Sequence, residues 1–168
     1  MHIHVDWTGP HTYEAALQLR DTNVDYGVYQ IYGAHPVYGT DVLIYIGKAV
    51  QQPIGKRLSQ QSWNYHNQDC SRLRVYVGRL GGYEGTPTDD EWSDQLTKVE
   101  RLLIFSHWPA GNSSGLNMQF GEDLYDTHIL NWGTYCSLLP EVSGMRYSNR
   151  YSSSDNYETF GRKPVSVE

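Results

Sequence analysis

Gly27-Val28-Tyr29-Gln30-Ile31-Tyr32, followed after a turn by Val42-Leu43-Ile44-Tyr45-Ile46-Gly47, is the stretch whose reading decides the fold. In the first segment Val28, Gln30 and Tyr32 alternate with Tyr29 and Ile31, the two-residue period of a strand. The second is rich in β-branched and aromatic residues and predicts a more buried strand. Between them Gly33, Pro36 and Gly39 supply turn chemistry. Strand, short turn and strand predict an antiparallel hairpin. Further on, Leu73-Arg74-Val75-Tyr76-Val77 alternates again and predicts a third strand.

The segments around these strands read as helices. Thr12 can cap a short helix through Ala15, Ala16, Leu17 and Leu19 to about Arg20. Pro53 can open another through Ile54 and Leu58 toward Trp63. Thr88-Asp89-Asp90-Glu91 has the form of a capping box, and Trp92, Leu96, Val99 and Leu103 follow at helical spacing. That helix should end near His107, because Pro109 disfavours helix in the residue before it. Residues 110–117 read as loop, and Met118 to Pro140 as a weakly marked helix or strand. From Ser143 onward the chain is rich in Ser, Tyr and Arg with few aliphatics, which predicts an extended C-terminal arm over 143–168. The expectation is one domain over 1–168. Its class is α+β, a small, mostly antiparallel three-stranded sheet flanked by helices, with additions at both ends.

Composition narrows the function. The chain has 168 residues, 39% hydrophobic and 19% charged, enough to bury a core without disulfides and too apolar for a disordered polyelectrolyte. No apolar run approaches the ~20 residues that span a bilayer. The opening Met1-His2-Ile3-His4-Val5-Asp6 lacks the form of a signal peptide, so a cytoplasmic protein with no membrane partner is expected. Cys70 and Cys136 fit no metal spacing and read as free thiols. The net charge of −6 argues against an all-over basic nucleic-acid coat. Yet Lys48, Lys56, Arg57, Arg72, Arg74 and Arg79 stand against Asp69 alone, a local +5 beside −11 elsewhere. A basic patch on an acidic body suits a polyanion that approaches in one orientation. Its competitor is pairing of these cations with Asp89, Asp90, Glu91 and Asp94.

Three motif matches fail on context. Gly111-Asn112-Ser113-Ser114-Gly115 has the spacing of a hydrolase nucleophile elbow, but a helix and Pro109 precede it rather than a strand. Gly55-Lys56 lacks both the leading Gly and the following Ser or Thr of a phosphate loop. His2 and His4 can share one strand face, without metal partners at usable spacing.

What survives is an ordered set: Gly27-Val28-Tyr29, Tyr45-Ile46-Gly47, Arg57, Glu100 and Asn112. These residues resemble the GIY-YIG nuclease family. The first triplet departs by Val for Ile and the second matches fully. Tyr45-Ile46-Gly47-Lys48-Ala49 with Lys56-Arg57-Leu58 resembles the incision subunit of bacterial nucleotide-excision repair. The resemblance spans about 26–117. It implies a nuclease core there, with Glu100 as the protein ligand of Mg²⁺ or Mn²⁺ and Arg57 as the phosphate fork. Lys48 would add a point charge and Asn112 would fix the loop around the metal or phosphate. Tyr29 and Tyr45 would share the site, one of them as general base, with Tyr29 the first choice. Some relatives carry a His or Tyr where this chain has Gln61. An amide is no base, and His66 lies further along.

The chemistry suits these residue types. Mg²⁺ takes oxygen ligands, keeps several waters and borrows phosphate oxygens. Arg grips a phosphate oxygen pair that Lys cannot. A tyrosine can serve as base only if positive surroundings lower a value normally near ~10. The expected function is thus a divalent-metal-dependent endonuclease of restriction or phage type. Double-stranded DNA is the expected substrate, met by a monomer or homodimer. Lys48, Lys56, Arg57, Arg72 and Arg74 would carry the nucleic acid, helped by the Arg- and Tyr-bearing arm. The alternative is a binding module that keeps the nuclease fold and does not cut; a hydrolase built on Ser113 or Ser114 is a third.

Overall fold

A computed structural model describes residues 1–61, 72–81, 89–116 and 124–147. The capping box at Thr88, His66, Cys70 and the chain from 148 onward lie outside the described residues. The elements in order are β1 (His2–Thr12), α1 (Tyr13–Leu17), β2 (Gly27–His35), β3 (Gly39–Ala49), α2 (Ile54–Gln60), β4 (Arg74–Gly81), α3 (Asp89–His107), β5 (His128–Gly133) and β6 (Glu141–Ser143). A short 3₁₀ turn follows at Gly144–Tyr147.

The expected three-stranded sheet is wrong. The strands form one six-stranded mixed sheet in the order β3-β2-β4-β1-β5-β6. β2 pairs antiparallel with both β3 and β4, and β4 pairs antiparallel with β1. β1 and β5 run parallel, and β6 closes the far edge antiparallel to β5. β1 exists because Ile3, Val5 and Trp7 alternate with His2, His4, Asp6 and Thr8, which buries one face of the strand. Its ladder to β4 shifts register between Thr8 and His11, around Pro10, which has no N–H to donate. The extended arm expected from Ser143 is also corrected at its start. Ser143 belongs to β6, and Gly144 to Tyr147 form the 3₁₀ turn.

Each face of the sheet carries a core. On one, Ile3, Val5, Trp7, Val28 and Ile46 pack with Leu96, Val99, Leu102 and Leu103 of α3. On the other, Tyr29, Ile31, Ala49, Val75 and Val77 pack with Ala16 of α1 and with Ile54 and Leu58 of α2. Burial of this apolar surface is the main force holding the layers together. Polar ties fix the added strands: Trp7 Nε1 donates to Asn131 Oδ1 at 2.8 Å, and Asn131 Nδ2 donates to the Leu139 carbonyl at 2.7 Å. Among the described residues no helix is long and apolar enough to cross a membrane.

α3 ends at His107, whose ring joins it to the chain before β6. Nδ1 lies 2.9 Å from the Leu103 carbonyl, and the Leu139 N–H donates to Nε2 at 2.8 Å. An imidazole that accepts at Nε2 and donates from Nδ1 is neutral. Burial disfavours its charged form and lowers its pKa, against the Leu103 carbonyl, which raises it. The folded value therefore lies below the unfolded one near ~6.5. The stability this contributes is present above that value and is lost as the pH falls through it toward the folded pKa. We expect the melting temperature of His107→Gln to fall less than that of the parent between pH 7.5 and 5. Equal acid sensitivity in thermal melts would show that His107 carries none of it.

Candidate active site

The edge strand β3 organises the site. An edge strand presents unpaired backbone groups, and here the chain after α3 covers them. Ala110 N–H donates to the Leu43 carbonyl at 3.1 Å and Gly111 N–H to the Ile44 carbonyl at 2.6 Å. Asn112 completes the seam with its side chain. Its Oδ1 accepts from the Ile46 N–H and its Nδ2 donates to the Ile46 carbonyl, both at 2.9 Å. The buried amide thus imitates a neighbouring strand's peptide group and holds Tyr45-Ile46-Gly47 straight. The loop that Asn112 was expected to fix is fixed to β3.

Tyr29 from β2 and Tyr45 from β3 lie on the face covered by α2, with ring centroids 6.2 Å apart and planes 26° from parallel. Gly47, opposite Tyr29 in the ladder, makes room for both rings. A Cβ there would stand 2.6 Å from the Tyr29 hydroxyl oxygen and from Tyr45 Cε1. Gly27, at the start of β2, has φ +148°, a conformation that side chains rarely adopt. Tyr29 is fully buried and Tyr45 half-buried.

Gln61 closes the pair. α2 stops at Gln60, and Gln61 is extended, with φ −93° and ψ 117°. Its side chain then reaches both tyrosines: the Tyr29 hydroxyl donates to Oε1 at 3.0 Å, and Nε2 donates to the Tyr45 hydroxyl oxygen at 3.3 Å. Burial pushes the Tyr29 phenol well above its ordinary value; Tyr45 and Glu100 add to the rise, and Arg57 opposes it. Burial thus opposes, rather than supplies, the lowered value that a base at Tyr29 would need.

The charged members come from three elements. Lys48, next to Gly47 but on the α3 side of the strand, places Nζ 3.1 Å from Glu100 Oε2 and donates to Thr97 Oγ1 at 2.8 Å. The Thr97 hydroxyl in turn donates to the Ser93 carbonyl at 2.6 Å, which leaves its lone pairs for the ammonium. Arg57 in α2, one helical turn before Gln61, lies close enough to Tyr29 to oppose the rise in its pKa. Sequence reasoning passed over Thr97, whose signal is its place three residues before Glu100 on the same helix face.

The structure puts Tyr29 and Tyr45 with α2 on one face and the Lys48–Glu100 pair on the α3 side of the same strand, with Arg57 and Glu100 near enough to act on Tyr29, and ties Asn112 to β3 at Ile46. It does not gather all the expected phosphate-binding cations. Arg74 pairs with Asp41, donates to the Tyr76 hydroxyl at 3.0 Å, and lies over the Tyr32 and Tyr76 rings at 5.6 and 5.8 Å. Tyr32 and Tyr76 belong to the core on the α3 face, away from the two site tyrosines. Arg79 pairs with Asp25 at 2.9 Å. Lys56 and Arg72 are exposed. Ser113 and Ser114 sit in an exposed loop after α3, not in a strand-to-helix elbow.

Among the described residues no three His, Cys, Asp or Glu side chains converge to hold a metal ion. Glu100 offers one partly exposed carboxylate, and that fits a hard cation that keeps most of its waters and borrows substrate oxygens. No family model matches the chain, and neither does any curated protein or solved structure.

Proposed function

We propose that this chain is a divalent-metal-dependent endonuclease of GIY-YIG type that hydrolyses phosphodiester bonds of double-stranded DNA. One observation carries the reading: the stacked Tyr29–Tyr45 pair over Gly47 and the Lys48–Glu100 pair meet at one edge strand, with Arg57 and Glu100 both near enough to act on Tyr29. Hydrolysis at phosphorus needs a water held and deprotonated, and negative charge on the phosphoryl oxygens offset. Arg57 and Lys48 supply the positive charge from two directions, and the tyrosine hydroxyls supply the proton-handling groups. Glu100 would hold Mg²⁺ or Mn²⁺, which when bound would polarise the phosphoryl oxygens and acidify a bound water.

Incubation with supercoiled plasmid and Mg²⁺ tests the reading. Nicked and linear products that vanish with a chelator are expected. Metal-dependent binding without products would leave the non-cutting module, and chelator-insensitive cleavage would point away from Glu100 altogether.

Arg57→Lys refines it. Lys keeps the charge and loses the two-pronged grip on phosphate. Loss of one contact made in the transition state, about 1.5–3 kcal/mol, lowers the rate by roughly ten- to a hundredfold. Affinity for DNA should change by less than the rate does. Wild-type turnover in single-turnover kinetics would reduce Arg57 to a helix-surface charge.

A further inference from the structure

Lys48 and Glu100 meet across two elements, and the group beside them is a hydroxyl. Nζ of Lys48, on β3, lies 3.1 Å from Glu100 Oε2 and donates to Thr97 Oγ1 at 2.8 Å. Thr97 and Glu100 stand three residues apart on α3, so one face of the helix offers the ammonium both oxygens. The Thr97 proton is committed to the Ser93 carbonyl at 2.6 Å, so toward Lys48 this hydroxyl can only accept. Lys98, the next cation along the helix, is held instead by Asp94 at 2.7 Å. The carboxylate that fits a hard cation thus already has a cation on it, and that cation has a second, neutral oxygen. A partly buried carboxylate stripped of its counter-charge is costly, so Glu100 gains from being paired whether or not metal is bound.

We propose that Lys48 stands in for the metal at Glu100, and that Thr97 is the positioning residue that receives the Lys48 ammonium when a divalent cation takes the carboxylate. This rests on the nuclease reading, which makes Glu100 the ligand. Lys48 keeps its proton throughout; the exchange breaks its contact with Oε2 and retains its hydrogen bond to Oγ1. Glu100 therefore has a cation at every stage. The ammonium it releases stays beside the site, where it can offset charge on a phosphoryl oxygen. Before the exchange Lys48 shares itself between two oxygens, and afterwards Thr97 alone of the two holds it. The Thr97 bond thus counts for more with metal bound than without, and only such a difference can shift the exchange. Without the Thr97 oxygen, Lys48 would compete harder for Glu100.

Mn²⁺ alone, titrated into the full chain without DNA, reads this exchange through the paramagnetic broadening of backbone amide signals around Glu100. Lys48→Met should reach half-broadening at a Mn²⁺ concentration roughly threefold or more below the parent's, because the competitor is gone. Thr97→Val keeps the shape and loses the oxygen, and should need roughly threefold more Mn²⁺. Thr97→Ser, which restores the oxygen, should behave like the parent. If Thr97→Val does not fold, Thr97→Ala takes its place with the same expectation. The decisive comparison is Thr97→Val placed in Lys48→Met, where it should change nothing. Simple repulsion between Lys48 and the metal predicts the first shift and not the second. A merely structural Thr97 predicts the same shift with and without Lys48. Parent-like broadening in Thr97→Val, or an equal shift in both backgrounds, overturns the proposal and leaves the nuclease reading standing if plasmid is still cut with Mg²⁺. Broadening in the parent protein that never centres on Glu100 overturns the proposal as well. The expected shifts in a chain that never cuts DNA sink the nuclease reading and keep the exchange.

Discussion

Glu100→Gln is expected to lower Mg²⁺-dependent plasmid cleavage by roughly a hundredfold or more, the equivalent of about 2.7 kcal/mol or more in the transition state. Glutamine keeps the length and shape of the side chain, and its carbonyl oxygen can still accept from Lys48. Only the negative charge is lost, and a hard divalent cation depends on that charge where a single protein carboxylate holds it. Stability should barely move. The Lys48 and Glu100 side chains are 27% and 20% exposed, so the pair is screened by solvent, and such a pair contributes no more than about 1 kcal/mol. In a chain of this size that is a shift in melting temperature of about 2–4 °C. Fold and chemistry thus separate cleanly in this variant. Normal cleavage by Glu100→Gln at limiting Mg²⁺ would remove the carboxylate from the metal site, and a collapse in melting temperature would make it a structural residue.

The residues that make this prediction possible were legible in the sequence because they lie on the best-patterned elements. Tyr29, Tyr45 and Gly47 sit on two strands with clear alternation or β-branched content, and Glu100 flanks the apolar stripe of α3. Arg57 falls on a helix opened by Pro53. The hairpin and the strand at 73–77 are present as β2, β3 and β4, and they are neighbours in the sheet. The sheet's size was misjudged for identifiable reasons. β1 carries a period-two signal in Ile3, Val5 and Trp7, but its outward His2 and His4 invite a search for metal ligands, and Gly9-Pro10 looks like an ending. β5 hides its period because Asn131 occupies an inward position, made tolerable by the bonds to Trp7 and Leu139. β6 has three residues, too few for any period. Its pairing is set by β5, not by its own sequence.

The site was legible in composition and not in polarity. Spacing places Gln61 one turn after Arg57, and residue chemistry says that an amide cannot take a proton. Neither shows that the amide reaches two hydroxyls at once. That depends on α2 ending at Gln60, and nothing in Ser59-Gln60-Gln61-Ser62 marks the stop. The basic patch misled in a similar way. Charge counting cannot tell a cation that faces solvent from one held by a neighbour, and Arg74 and Arg79 are held by Asp41 and Asp25. Neither partner is in the acidic stretch of α3.

Asn112→Ala should be the most damaging substitution to the fold among the site residues, and its cost follows from the seam on β3. The side chain is buried, and it alone satisfies both the N–H and the carbonyl of Ile46 on that side of the strand. Alanine leaves two buried backbone groups without partners, at about 1–3 kcal/mol each before relaxation. A net loss of about 2–4 kcal/mol corresponds to a fall in melting temperature of about 5–15 °C. Asn112→Asp should be at least as harmful, because it turns a carboxylate oxygen toward the Ile46 carbonyl in place of a donor and asks a buried site to hold charge. Cleavage should fall with stability, since Tyr45 and Gly47 flank the residue that Asn112 holds. The same loss should be visible without any substrate: the Ile46 amide, whose N–H is bonded to Asn112 in the parent protein, should exchange much faster in Asn112→Ala, while amides in β1 and β5 keep their ranking. Protection of Ile46 unchanged in the variant would mean that the loop after α3 holds the edge strand without the Asn112 amide.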